Sequence, residues 1–340
     1  MVLSEVEAQA HRPEGSTLLT LPERSRSTSS PQVNHSSLIM IKYLDYLFVI
    51  RPVLMPPVWT ILLLGHHRSA ALYGQSNLPG LILILVTFLV GAVYLLNQIY
   101  DVESDKLNKK LFFLAEGHIS KKNAIFETVF LNLISIIPAY LISPELGVLF
   151  TLGFLFGLFY STPPFSFKGK PLGGFLFNIL AHGNLTFLAG WLMNQALSGK
   201  SILFSLPYML AVGAVYLDTT IPDMEGDKIS GKITLAVKWG KVKVVIFASI
   251  LVFFATVLSF FIKDVPFFIA SALVFPFFLF GALTKKNNAI VLSTKLSILF
   301  LSVAAGVFYP WYFAVLVLGF LGTRFYYKTR FKLNYPTFWN

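Results

Sequence analysis

Apolar runs long enough to cross a bilayer recur along this chain from about residue 43 onward. A spanning helix needs about 20 mainly apolar residues, because the hydrocarbon core is about 30 Å thick and a helix rises about 1.5 Å per residue. Runs of that kind lie near 43–64, 80–100, 123–141, 145–160, 173–193, 203–221, 242–262 and 265–284. A last apolar block, 289–327, is too long for one helix, and Tyr309-Pro310-Trp311 sits near its middle. Proline lacks a backbone donor, and interfacial aromatics suit a turn at headgroup depth, so the block is expected to divide there. The fold class that follows is all-α, a polytopic membrane bundle of nine or ten transmembrane helices.

Composition excludes the soluble alternatives. Of the 340 residues, 13% are charged and 55% hydrophobic, against about 25% charged in an ordinary soluble domain. That leaves too little polar side chain to coat a water-soluble enzyme. A disordered protein and a nucleic-acid binder are excluded on the same ground, although a net charge of +11 would otherwise suggest a polyanion. With no cysteine there is no disulfide, thiolate metal site or Cys nucleophile. Residues 1–38 differ, being rich in Ser, Pro, Glu and Arg. They lack the apolar core of a secretory signal, and Glu5, Glu7, Glu14 and Glu23 argue against a transit peptide. The expected organisation is a disordered cytosolic tail over 1–38, a membrane domain over 39–328 and a short C-terminal tail over 329–340.

Basic residues orient the bundle. With the N-terminal tail inside, the inner loops hold fifteen lysines: 106, 109, 110, 121, 122, 168, 170, 228, 232, 238, 241, 243, 285, 286 and 295. The outer loops hold three basic residues, Arg68, Lys200 and Lys263. This asymmetry is the positive-inside signature. Arg324, Lys328, Arg330 and Lys332 also favour an inner C-terminus, and hence ten spans.

The acids carry the functional signal. Of twelve Asp and Glu residues beyond the tail, eight fall in two stretches: Asp101, Glu103, Asp105 and Glu116, then Asp218, Asp223, Glu225 and Asp227. Both stretches lie at inner helix ends, where carboxylates are costly unless they meet a cation or water. Asn97, Asp101 and Asp105 recur at i, i+4 and i+8, which is one helical face, and Asp223 and Asp227 repeat the spacing. Two carboxylate pairs on different helices suit Mg²⁺, which prefers oxygen ligands and completes its shell with water or phosphate. The basic loops around them, including Lys109, Lys168 and Lys228, suit a phosphate-rich ligand. Arg51, costly to bury in the first span, is expected near the inner cavity, or else snorkelling or paired with Asp45. Asn178 and His182, at i and i+4, either face the cavity or bridge helices.

These motifs resemble those of the UbiA superfamily of intramembrane prenyltransferases, whose members carry NxxxDxxxD and DxxxD. The stretches NQIYDVESDKLNK (Asn97 to Lys109) and IPDMEGDKISGKITLAVKWG (Ile221 to Gly240) are similar to the homogentisate prenyltransferase branch. YSTPPFSFK (Tyr160 to Lys168) is similar to the family's YSxPPxRxK element, with Ser166 where that element often has Arg. Many relatives place an acid where this chain has Thr220, and Asp218 lies about 200° around the helix from that position.

The resemblance implies a ring of nine helices around a central cavity, with Mg²⁺ and an isoprenoid diphosphate at the cytoplasmic mouth. It assigns metal roles to Asp101, Asp105, Asp223 and Asp227, and donor contacts to Asn97 and Lys168. Tyr160, Lys109, Lys228, Arg51 and Asn178 are further candidates for substrate contact. The expected partners are a prenyl diphosphate donor, a small lipophilic or aromatic acceptor and the bilayer, in a bacterial or archaeal cell membrane with the active site cytoplasmic. A homogentisate-like acceptor is favoured. Chlorophyllide, a prenylated glycerol phosphate or a carotenoid stay open as acceptors, as does the separate class of a secondary transporter with acidic ion sites.

Overall fold

Proline opens many of the long helices, at the first turn, where a missing N–H leaves no bond unmade. In the computed structural model, which describes residues 41–74, 79–108 and 112–336, the chain is all-helical in its regular structure. Helix α1 (Asp45–Val49) leads through a 3₁₀ turn to α2 (Pro56–Tyr73). Then come α3 (Pro79–Asn108), the short α4 (Phe112–Ala115), α5 (Lys121–Ile142) and α6 (Pro144–Ser161). The next span is composite: α7 (Pro171–Asn178), a π-helical turn (Ile179–Leu185) and α8 (Thr186–Trp191). It is followed by α9 (Gly199–Thr220), α10 (Met224–Ile229) and α11 (Leu235–Trp239). The chain ends in α12 (Lys241–Phe261), α13 (Val265–Thr284), α14 (Asn287–Phe308) and α15 (Pro310–Phe331). Ser120, Ser143 and Asp264 cap α5, α6 and α13 by accepting the N–H three residues on.

Among the described residues eight helices are long and apolar enough to cross a membrane, and a bent pair, Ile41–Leu54 with Pro56–Tyr73, makes a ninth if counted as one span. That pair corrects the expectation of one straight helix over 43–64. The two parts meet at 63°. The bend follows from Arg51, held at φ 61° ahead of Pro52, since a residue before proline is kept from the right-handed helical region. The block 289–327 divides at Tyr309 and Pro310, as expected. Its second half, α15, is 22 residues long but carries Arg324, Lys328 and Arg330 toward its end, and is not among the eight.

The expected C-terminal boundary at 328 falls inside α15, which runs to Phe331. Beyond it Tyr335 is only 1% exposed, its ring 4.8 Å from that of Tyr327. These residues fold back because Phe48, Phe113, Tyr326 and Tyr327 offer an aromatic cluster to pack on. The expected tail over 1–38 lies outside the described residues.

Sequential neighbours pack on one another. α3 lies against α5 and α6, α9 against α12, α12 against α13, and α13 against α14, which returns to α2. α2 and α8 cross closely because glycine faces backbone on both sides. A Cβ on Gly190 would collide with the Leu62 carbonyl, and one on Gly65 with the Phe187 carbonyl. Gly157 serves the contact of α6 with α3, where a Cβ would come within 2.5 Å of Val93. The two ends of the bundle differ chemically. Arg68 donates to the carbonyls of Ile262 and Lys263 at 2.7 and 3.1 Å, so two of the expected outer loops share an end. The acidic motifs lie at the other.

Candidate functional site

Asn97, Asp101 and Asp105 line one face of the last turns of α3, as their spacing requires. Asp105 lies two residues beyond the apolar span Pro79–Glu103. The second motif starts where α9 ends. Asp223 precedes α10 and Asp227 lies within it, the Asp227 N–H donating to the Asp223 carbonyl at 2.8 Å. One helical turn therefore stacks the two carboxylates.

Two lysines join the motifs. Lys168 Nζ lies 2.7 Å from Asp101 Oδ1 and donates to Asn97 Oδ1 at 3.1 Å. The Lys168 and Asp101 side chains are 13% and 14% exposed, so the pair is largely shielded from screening water. Ser161 Oγ donates to the same Asn97 oxygen at 3.3 Å. Lys232 Nζ approaches Asp101 Oδ1 at 3.8 Å, while its backbone N–H donates to the Asp227 carbonyl at 2.8 Å. The segment after the second motif thus delivers a cation to the first. The Ile233 N–H also donates to the Gly169 carbonyl at 3.1 Å, tying that segment to the loop carrying Lys168.

Tyrosines form the floor. The Tyr160 hydroxyl hydrogen-bonds Asn178, and the charges of Asp101 and Asp227 both bear on it. Tyr216 also feels Asp227, and its hydroxyl occupies the space a Cβ on Gly174 would take. The Tyr94 ring lies 6.2 Å from His182, which sits in the π-helical turn. Such turns are frequent at functional sites because they re-aim side chains within a helix. Arg51 acts electrostatically on both Tyr94 and Asp105.

The environment of Asp105 disfavours its charge. Burial, then the neighbouring Asp101 carboxylate, push Asp105 up to about 7, although Arg51, Lys232 and Lys168 pull the other way. Burial lowers the Lys168 ammonium from its ordinary value, against the opposing pull of Asp101. The donor set is carboxylate, amide and hydroxyl oxygen, which matches Mg²⁺ rather than zinc. Among the described residues no three His, Cys, Asp or Glu side chains form a metal cage.

Several expectations resolve differently. Lys228 is exposed on α10, and Lys232, in the same basic loop and not singled out from the sequence, is the lysine that approaches Asp101. Arg51 does not pair with Asp45, whose carboxylate is taken by Arg330 at 3.0 Å and by Tyr326 at 2.6 Å. Asp218 accepts from Ser293 Oγ on α14 at 3.1 Å, away from the motif face, as the angular argument anticipates. Lys109 lies outside the described residues. Tyr94, Tyr216 and Ser161 escaped the sequence reading. Tyr94 stands three residues before Asn97, a helical neighbour of the motif, which is the signal that could have found it.

A UbiA homolog from Archaeoglobus fulgidus, solved with GPP and Mg²⁺, has the same fold at a TM-score of 0.59, with 21% identity over 80% of this chain and 99% of that one. A chloroplastic 2-acyl-4-prenylphloroglucinol 6-prenyltransferase of Humulus lupulus is 32% identical over 179 residues, 48% of this chain and 43% of that protein. A probable homogentisate phytyltransferase of Oryza sativa is 29% identical over 175 residues, 48% of this chain and 46% of its own length. The chain thus spans less than half the length of these curated relatives. The model of the UbiA prenyltransferase family matches residues 53–289, most of the chain and both acidic motifs. The chain is a member of the UbiA prenyltransferase family.

Proposed function

We propose that this chain transfers an isoprenoid group from a prenyl diphosphate to an aromatic, homogentisate-like acceptor and releases diphosphate. The observation that carries the reading is the approach of Lys168 and Lys232, from two different loops, to Asp101 at the end of an apolar bundle. Carboxylates and ammonium groups so interleaved suit a ligand that is itself anionic and metal-bridged. Asp101, Asp105, Asp223 and Asp227 would hold Mg²⁺, which when bound supplies Lewis-acid neutralisation of the diphosphate. Lys168, Lys232 and Arg51 face the phosphate oxygens and stabilise the charge that develops as the ester bond breaks. The carbon–oxygen bond breaks with its electron pair leaving on diphosphate. The acceptor supplies the pair for the new bond to the allylic carbon and sheds a proton. Tyr94 and Tyr160, near the first motif, would shield a cation-like carbon and help exclude water.

The aromatic acceptor is favoured by likeness to two relatives whose names give phenolic acceptors. The motif end faces the cytosol in this reading, on the lysine asymmetry. The test incubates membranes holding the protein with Mg²⁺, labelled geranylgeranyl or phytyl diphosphate, and homogentisate, chlorophyllide, a prenylated glycerol phosphate or a carotenoid. Labelled prenyl-homogentisate is expected, and Asp101→Ala or Asp223→Ala abolishes it. Product on another acceptor overturns the acceptor assignment. Uptake of label without diphosphate release overturns the reaction and favours a transporter.

A further inference from the structure

The family match covers residues 53–289 and leaves out both α1 and α15, yet these two elements are fastened to each other at the end of the bundle that holds the acidic motifs. Asp45, 1% exposed, accepts from Arg330 Nε and NH2, each at 3.0 Å, and from the Tyr326 hydroxyl at 2.6 Å. A buried carboxylate with a two-pronged guanidinium and a phenol has a fixed position, because bidentate geometry leaves the pair little freedom. The Phe48 ring stacks on that of Tyr326 at 3.8 Å, with planes 10° apart. On the opposite side α1 is tied to the first motif. Gln98, the residue after Asn97, donates from Nε2 to the Val49 carbonyl at 2.8 Å, and Ile50 packs where Gly91 of α3 leaves room.

Arg51 comes next in the chain, at φ 61° and ψ 60°. A non-glycine residue rarely adopts this left-handed conformation, so it persists only where its surroundings dictate it. Here they dictate it from both sides: α15 holds the segment from outside and α3 from inside. Two of the Arg51 guanidinium nitrogens are buried, and its charge bears on Asp105 and Tyr94.

We propose that Asp45, Tyr326 and Arg330 are positioning residues for the donor diphosphate, a clamp through which the C-terminal helix holds Arg51 in the site. The proposal rests on the prenyl diphosphate reading above. It makes α15, which lies outside the family match, part of the binding machinery.

The test uses the full chain purified in detergent. Binding of inorganic diphosphate with Mg²⁺ is measured by titration calorimetry, and donor KM and kcat by product formation. Three changes are compared: Tyr326→Phe, which keeps the ring stack and removes one hydroxyl; the neutral pair Asp45→Asn with Arg330→Gln; and Arg51→Gln. Tyr326→Phe and the neutral pair are expected to weaken diphosphate binding about fivefold to tenfold, the scale of one weakened charge-assisted hydrogen bond. Donor KM rises by the same factor, while acceptor KM holds. In an Arg51→Gln background neither change has a further effect, because the residue they act through is gone. Equal diphosphate affinity in wild type and variants overturns the clamp, even if thermal stability falls. So does a loss that multiplies unchanged onto Arg51→Gln. If the neutral pair fails to fold, Tyr326→Phe alone decides. Wild-type protein that binds no Mg²⁺-diphosphate removes the functional reading and the clamp with it, whereas binding wild type with unaffected variants removes the clamp alone.

Discussion

Replacing Asp105 by asparagine should stabilise the metal-free protein at alkaline pH and leave it unchanged under acid. The reasoning starts from the carboxyl group being raised from 3.8 to about 7 by burial and by Asp101. Between those values the folded protein keeps a proton that the unfolded chain has shed. Stability therefore falls as pH rises through the window and is level above it. One pH unit corresponds to about 1.4 kcal/mol, so a window of about three units amounts to about 4 kcal/mol. Asparagine carries no such charge and should abolish the slope. The assay is thermal unfolding of detergent-purified protein in chelator, at intervals from pH 4.5 to 8, for wild type and Asp105→Asn. The variant should melt several degrees higher than wild type at pH 8 and alongside it at pH 4.5. With Mg²⁺ and diphosphate present the order should invert at pH 8, because the ion favours the ionised carboxylate that asparagine cannot supply. A difference in melting temperature that is the same at both pH values would refute the account of Asp105 as a carboxylate held without its cation.

Other outcomes follow from the same geometry. Lys168→Met should lower kcat by about 100-fold, the scale for losing one donor aimed at developing charge. Lys232→Met should cost less, since its ammonium stands at 3.8 Å from Asp101 rather than 2.7 Å; steady-state kinetics on both variants checks the order. Chelation should stop transfer by wild-type membranes, and Mg²⁺ should restore it, as read by released diphosphate. Gly190→Val should reduce the yield of monodisperse protein, because any Cβ there meets the Leu62 carbonyl and overpacking costs about 1–3 kcal/mol; size-exclusion chromatography after detergent extraction reads it.

Where helical periodicity governs, the sequence was a sufficient guide. Most of the spans, the division at Pro310 and the shared face of Asn97, Asp101 and Asp105 follow from residue spacing alone, whereas the bend in the first span does not. Asp218 was separable from the second motif by angle, and it indeed turns to Ser293. Periodicity gives no guide outside helices, and what spacing could not supply gathers there. Lys228 follows Asp227 directly, so a helical turn rotates it away to the surface. Lys232 lies past the helix end, in a turn whose path no spacing rule gives, and that path brings it back to Asp101. Arg51 and Asp45 are near in sequence, which made their pairing plausible. The partner that wins, Arg330, is 285 residues away, and only tertiary packing brings it there.

The hydrogen bond from Ile233 to Gly169 gives the mouth of the site a mechanical property. It fastens the segment bearing Lys232 to the one bearing Lys168, so the two cannot swing apart independently. The two lysines that meet Asp101 thus stand on segments joined backbone to backbone.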